Sequence, residues 1–361
     1  MTRQTPPQPG QPEPNPLRSV FTSNLPELLH QFEISLIVST YQAGKVILVR
    51  AEDTGINTHF RNFHKPMGVA MDQGRLTIGG QNTVWDYRNM PALAPKLEPI
   101  GKHDAAFLPR QIHVTGDIDI HELAWGTDGL WVVNTKFCCL CKLDPDHSFN
   151  PVWRPHFVSE LAPQDRCHLN GLAMVNGNPE YVTALGETDT PGGWRANKRD
   201  GGVLMDVQTN EVLVRGLSMP HSPRFYEGKL WFLESGMGGL GWIDLENQSR
   251  QTIANLPGFT RGLSFVGPLA FVGLSQVRET AVFSDFPLVE KLKERICGVW
   301  VVNIRNGETV AFLRFEEGVQ EIFGVEVVPA RYPEILEDNH PRLNDSYVVP
   351  DEALADVPKT L

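Results

Sequence analysis

The sequence has no surplus of positive charge. Its 361 residues carry 32 Lys and Arg against 43 Asp and Glu, a formal charge of −11. Neutralising phosphates requires a net positive surface, so no nucleic-acid partner is expected. No run of about 18 uncharged apolar residues occurs, which removes a transmembrane helix, and no membrane partner is expected. An apolar leader is missing too. The first sixteen residues, MTRQTPPQPGQPEPNP, hold six prolines, so a disordered, partly polyproline-like tail is expected over 1–18 in place of a signal peptide. Cysteine is scarce and odd in number: Cys138, Cys139, Cys141, Cys167 and Cys297. That is not a secreted disulfide framework, and cytoplasmic residence with free thiols is expected. CCLC (138–141) offers a soft-metal reading, but it lies in the alternating stretch VVNTKFCCLCKLD. A strand there turns Cys139 away from its neighbours, and small buried residues account for it better. Long helices are absent as well, because 32 Gly and 28 Pro break any bundle. Only 25–31 and FPLVEKLKERI (286–296) have helical spacing.

What is present is a repeated unit: a short apolar strand, a Gly-bearing turn and a second aliphatic strand beside Trp or Phe. GVAMDQGRLTIGG (68–80), ELAWGTDGLWVVN (122–134), SPRFYEGKLWFLE (222–234) and GLSFVGPLAFVGL (262–274) share it. GLAMVNGNPEYVTALG (171–186) is the same unit with a longer turn, and GVEVV (324–328) begins a sixth. Further strands follow each unit, and the period is about 50 residues. Four short strands per period make a propeller blade. The expected fold is all-β: a β-propeller, six-bladed (seven if 280–320 hides a blade), occupying 19–340 with a C-terminal extension over 341–361. A β-sandwich pair is the alternative fold. EISLIVSTYQAGKVILVR (33–50) is expected to pair with the C-terminal strand and close the ring. Gly236, Gly238 and Gly241 match GxGxxG, but WIDL follows as a strand, with no helix to meet a pyrophosphate; an inter-strand turn is expected.

Propeller sites lie on the axis, where innermost strands begin. Aligning the units places Met67, His121, Asn170, His221, Arg261 and Phe323 just before the small or polar opening residue, with His168 and Glu321 two positions earlier. Three histidines at near-equivalent positions suit a divalent metal, Zn or Fe, with an open position for water or substrate. Arg261 is a candidate clamp for an anionic or carbonyl group, and Glu321 a general base. Asn170, Arg224 and Met67 are candidate substrate contacts, although Arg224, like Arg110, also reads as an ion-pair partner. Asp117, Asp119 and Asp165 stand where carboxylates orient ligand imidazoles, and the first two could instead hold Ca. The bland reading is a water-filled polar channel. Other chemistries are excluded: there is no G-x-S-x-G elbow and no H-E-x-x-H. Neither His221–Ser222 nor Cys167–His168 makes a dyad, because adjacent strand residues face opposite ways.

YQAGK (41–45), KPMGVA (65–70), TGDIDIHELAWG (115–126), DRCHLNGLA (165–173), MPHSPR (219–224), LPGFTRGLSF (256–265) and VGLSQVRE (272–279) together resemble a bacterial conserved-hypothetical family. The resemblance implies a propeller-like fold. At the level of fold the chain is also similar to six-bladed metal-holding propeller lyases and lactonases. The peptidylglycine amidating lyase type implies zinc on three axial histidines, which His121, His168 and His221 would fit, with Arg261 nearby. The gluconolactonase type uses Glu, Asn and Asp around a divalent cation, and Glu321 and Asn170 fit in part. The expected function is thus a soluble metal-dependent lyase or hydrolase acting on a small molecule or peptide, with Arg261 binding an anionic or carbonyl group and Glu321 or a metal-bound hydroxide moving the proton. The alternative is a non-catalytic interaction platform presenting FNPVWRPHF (149–157) or TPGGWR (190–195) to a protein partner.

Overall fold

The computed structural model describes residues 17–276, 287–291 and 296–355. Six sheets, antiparallel except for the edge strand Pro333–Ile335 that runs parallel to Ala105–Val114, form a six-bladed β-propeller. Blade 1 runs outward through Val69–Asp72, Arg75–Gly79, Thr83–Asn89 and Ala105–Val114. Blade 2 is Ile120–Gly126, Gly129–Asn134, Cys139–Asp144 and His147–Trp153. Blade 3 is Leu169–Val175, Asn178–Ala184, Gly202–Asp206 and Val212–Leu217. Blade 4 is Pro220–Tyr226, Lys229–Glu234, Gly239–Asp244 and Ser249–Asn255. Blade 5 is Phe259–Val266, Leu269–Ser275, Cys297–Asn303 and Thr309–Phe315. Blade 6 joins one strand from the C-terminal part of the chain to three from the N-terminal part. Its inner strand is Gly324–Val328, and Ser35–Thr40, Lys45–Glu52 and Gly55–Asn62 complete it. Leu36, Ile37 and Val38 pair with Val327, Glu326 and Val325, so the ring closes where the 33–50 segment was expected to close it.

The period-2 alternation of each strand builds the core. A blade is packed on both faces, so successive residues enter different interblade layers. Leu36, Val38, Ile47 and Val49 face blade 5, against Phe271, Val299 and Val301. Ile37, Val46 and Leu48 face blade 1, against Val69, Leu76 and Ile78. This explains why Ser35–Thr40 is buried throughout.

Inner strands of successive blades touch each other around the axis, which accounts for the small residue opening several units. A Cβ on Gly68 would stand 3.1 Å from the Glu122 backbone, and one on Gly262, at φ +80°, 2.6 Å from Val325 N.

Leu25–Gln31 is the expected short helix, and Leu25 and Leu29 seal the layer between blades 5 and 6. Of the second, Pro287–Lys291 is helical, while 286 and 292–295 lie outside the described residues. The 1–18 tail falls almost wholly outside them, as 1–16 are not described. The GxGxxG stretch is a one-turn 3-10 helix, Ser235–Met237, that leads into the strand Gly239–Asp244, an inter-strand connection. All five cysteines are buried and free. Cys139 and Cys141 pack between blades 1 and 2, whereas Cys138 and Cys167 pack between blades 2 and 3. Among the described residues, no helix is long and apolar enough to cross a membrane.

Candidate functional site

The aligned positions do meet at the axis, but the backbone delivers them differently from a plain extended chain. Two residues before the ring of Met67, His121, Asn170, His221, Arg261 and Phe323 stand Lys65, Asp119, His168 and Met219 in the first four blades. All four are non-glycine residues with φ of +48°, +56°, +53° and +49°. Left-handed backbone costs about 1 kcal/mol or more at each such residue and persists only where surrounding contacts enforce it. Asp165 and Ser222 share the conformation, at +48° and +49°. The left-handed twist turns the chain before the inner strands of the first four blades. In blades 2 and 4 it brings the carbonyls of Asp119 and Met219 onto the imidazole two residues further on.

Those carbonyls hold the histidines. Asp119 O lies 3.1 Å from His121 Nδ1, and Met219 O lies 2.9 Å from His221 Nδ1. A carbonyl only accepts, so in both rings Nδ1 carries the proton and Nε2 the lone pair. Ser235 Oγ donates to Thr260 O at 2.5 Å and accepts a second contact from His221 Nδ1 at 2.8 Å. His168 Nδ1 donates to Asp165 Oδ1 at 2.8 Å. The other oxygen of Asp165 receives Trp194 Nε1 at 2.8 Å and Arg195 at 3.0 Å. Burial opposes ionisation of Asp165, but His168, Trp194 and Arg195 outweigh it and hold the carboxyl below its ordinary range. Burial, reinforced by neighbouring cations, pushes His121 and His221 well below the usual histidine range. Both are neutral imidazoles at pH 7. No protein partner contacts any of the three Nε2 atoms among the described residues.

The rings of His121 and His168 stand edge to face, 4.7 Å apart. Phe323 lies 5.0 Å from His121 and carries the Arg261 guanidinium 3.5 Å above its ring. Arg261 lies 3.9 Å from Glu321 Oε1. Burial lowers the pKa of Arg261 and raises that of Asp119; Glu321 and Asp119 oppose the shift in the arginine, His168 and Arg261 that in the carboxyl. Among the described residues, no three His, Cys, Asp or Glu side chains are arranged so that they could hold a metal ion as they stand.

The remaining candidates have assigned partners. Asn170 donates to Pro220 O at 3.0 Å and accepts from Thr183 at 2.7 Å, bracing blades 3 and 4. Arg224 grips Glu122 with both terminal nitrogens, at 2.8 and 3.1 Å. Met67 is buried, its carbonyl taking Ser39 Oγ at 2.6 Å. Asp117 pairs with Lys136 at 3.4 Å.

Sequence reasoning missed a charged layer below the histidines. Three residues past the ring position the blades carry Ala70, Ala124, Ala173, Arg224, Ser264 and Glu326. Glu326 accepts from Ser264 at 3.3 Å, and burial pushes its carboxyl up to about 7. The signal was available in the sequence: charge where other blades keep alanine. His121, His221, Arg224, Arg261 and Glu326 all line a cavity of about 10 Å³, room for one water. Toward the surface a wider cleft of about 290 Å³ is lined by Tyr41, Lys65, Met67, Asp119, Lys136, Asp165 and Arg195. Trp194, in one proposed platform loop, is buried and its ring lies 4.4 Å from His168, so it serves this site. Trp153 and Phe157, in the other, pack partly buried between blades 2 and 3.

The family described as "Domain of unknown function (DUF4915)" matches residues 23–336, a span that takes in all six blades. The chain belongs to this family. DUF4915 thus spans both the blade-closing strands and the whole histidine ring. No curated protein matches the chain. Among solved structures, a chain of the nidogen/laminin complex aligns over 82% of this chain and 99% of its own, at TM-score 0.53 and 8% identity. That likeness shows the propeller fold. A protein of unknown function from Bacteroides caccae aligns over 82% of this chain and 99% of its own, at TM-score 0.49 and 10% identity.

Proposed function

We propose that the axial site is a divalent-metal site of a lyase or hydrolase acting on a small anionic molecule or a peptide. The observation that carries this reading is the uniform treatment of His121, His168 and His221. Each has Nδ1 committed to an oxygen acceptor and no hydrogen bond at Nε2 among the described residues. Outer oxygens that fix the tautomer are what ligand histidines need. The reading requires the three Nε2 atoms to converge when an ion enters. Neutral imidazoles favour Zn or Fe over Ca, which prefers oxygen donors. Such an ion supplies Lewis acidity and lowers the pKa of water.

The chain's own residues do the rest. Arg261, held flat on Phe323, receives a carboxylate or polarised carbonyl. Glu321 beside it moves the proton. At the mouth Lys65 lies 5.5 Å above the Tyr41 ring and has no carboxylate partner among the described residues, which leaves a cation for an anionic substrate. Five buried free thiols support a reducing, cytoplasmic setting. The test is metal analysis of protein purified and dialysed with Zn or Fe. The expected result is one ion per chain, lost in His121→Ala, His168→Ala and His221→Ala. No stoichiometric ion in the folded wild type overturns the reading.

A second reading, an interaction platform, draws on Ile112, Val114 and Val152, which are 47%, 64% and 52% exposed on the outer strands of blades 1 and 2. A stable partner lost in Val114→Lys but kept in His221→Ala would favour it.

A further inference from the structure

A cleft of about 330 Å³ opens between blades 6 and 1, and it shares no lining residue with the axial cavity. Its wall is aromatic. Trp85 and Tyr87 are two residues apart on the strand Thr83–Asn89, so both project on one face, with ring centroids 6.2 Å apart and planes 23° from parallel. Phe63 follows the last strand of blade 6 and meets both rings edge-on, at 6.2 and 6.4 Å. The lip is acidic. Beyond Pro333–Ile335, which pairs parallel to the outer strand of blade 1, the chain carries Glu337 and Asp338 past the aromatic wall. Both are exposed, and neither has an ion-pair partner among the described residues. Their charge is felt at the wall: besides burial, Asp338 and Glu337 raise the phenol of Tyr87. The neighbouring cation, Arg61, is turned to Glu334 at 2.9 Å and the Ile335 carbonyl at 2.8 Å.

We propose that this cleft is a second binding site, for a small organic cation with an alkylated ammonium head. Ring faces present negative charge and attract ammonium groups, most strongly when the cation is easily stripped of water. Alkylation removes the strongly held water of a primary ammonium while keeping its charge. The two carboxylates supply a counter-charge that no anion or neutral ligand would use. The volume lies at the small end of the range for ligand pockets.

Calorimetric titration of the full chain with choline chloride, at constant ionic strength made up with sodium chloride, tests the site. The uncharged isostere 3,3-dimethyl-1-butanol is titrated in parallel. Saturable binding of choline is expected, with the isostere at least about tenfold weaker. The Glu337→Gln/Asp338→Asn double variant, altered only at exposed positions, should weaken choline about tenfold and leave the melting temperature unchanged. Trp85→Leu should abolish binding, and the double variant keeps the proposal testable if Trp85→Leu does not fold. No saturable binding up to about 10 mM, equal binding of the isostere, or full choline affinity in the double variant overturns the proposal.

Discussion

Glu326→Gln gives the sharpest test of the charged layer below the histidines. Glu326 sits on the innermost strand of blade 6, opposite Ile37, and lines the axial cavity with His121 and Arg224. Burial raises its carboxyl from 4.5 to about 7, with Glu122 adding to the rise; Arg224 and Ser264 oppose it. The folded protein therefore holds this proton more tightly than the unfolded chain. Between pH 4.5 and 7 the folded state binds more protons, so stability falls as pH rises through that window. A shift from 4.5 to about 7 corresponds to about 3 kcal/mol, all lost above pH 7 and none lost below 4.5. Glutamine keeps the shape and the acceptor for Ser264 but cannot ionise. Urea unfolding of both proteins at pH 5, 6, 7 and 8 isolates the effect, because every other titrating group is common to the pair. The variant should gain on the wild type by about 2.5 kcal/mol between pH 5 and pH 8, the remainder being lost already below pH 5. A difference constant from pH 5 to 8 refutes the burial argument. A wild type that gains on the variant with rising pH would show that Arg224 holds Glu326 ionised.

Three further outcomes follow from the geometry. Gly262→Ala meets both a left-handed backbone at +80° and a 2.6 Å approach to Val325 N, and should cost about 2–4 kcal/mol in urea unfolding. Arg224→Met strands the buried Glu122 carboxylate and should cost about 3–5 kcal/mol by the same assay; a neutral effect would mean that the pair is solvated. Asp165→Asn weakens the acceptor that holds His168, and Zn affinity by competition with a chromogenic chelator should fall about 10- to 100-fold. Unchanged affinity would remove Asp165 from the site's support.

The blades were legible because their signal is local. Turns such as Gln73-Gly74 and Glu227-Gly228, flanked by alternating apolar residues, dictate strand pairs whatever the rest of the chain does. The repeat also supplied the ring position, so His121, His221 and Arg261 were found by alignment alone. What it could not supply was backbone hand. His168 was assigned to the axis on the assumption of an extended chain, yet it arrives through a left-handed residue. Glu326 was marked only by charge where other blades keep alanine, and what it and Glu122 do depends on Arg224, about 100 residues away from each in sequence. Trp194 reads as a loop aromatic until the fold lays it on His168 and Asp165.

The sequence by itself determined the repeated strand pairs, the closure of blade 6 and the ring positions of His121, His221 and Arg261. Hydrophobic alternation and turn chemistry act over a few residues and are written in their order. Only the tertiary structure decided which nitrogen of each histidine is bonded to an oxygen, which carboxylate each arginine holds, and how small the cavity between them is. Those outcomes depend on distances between blades, and burial converts distances of a few ångströms into proton positions and charge states.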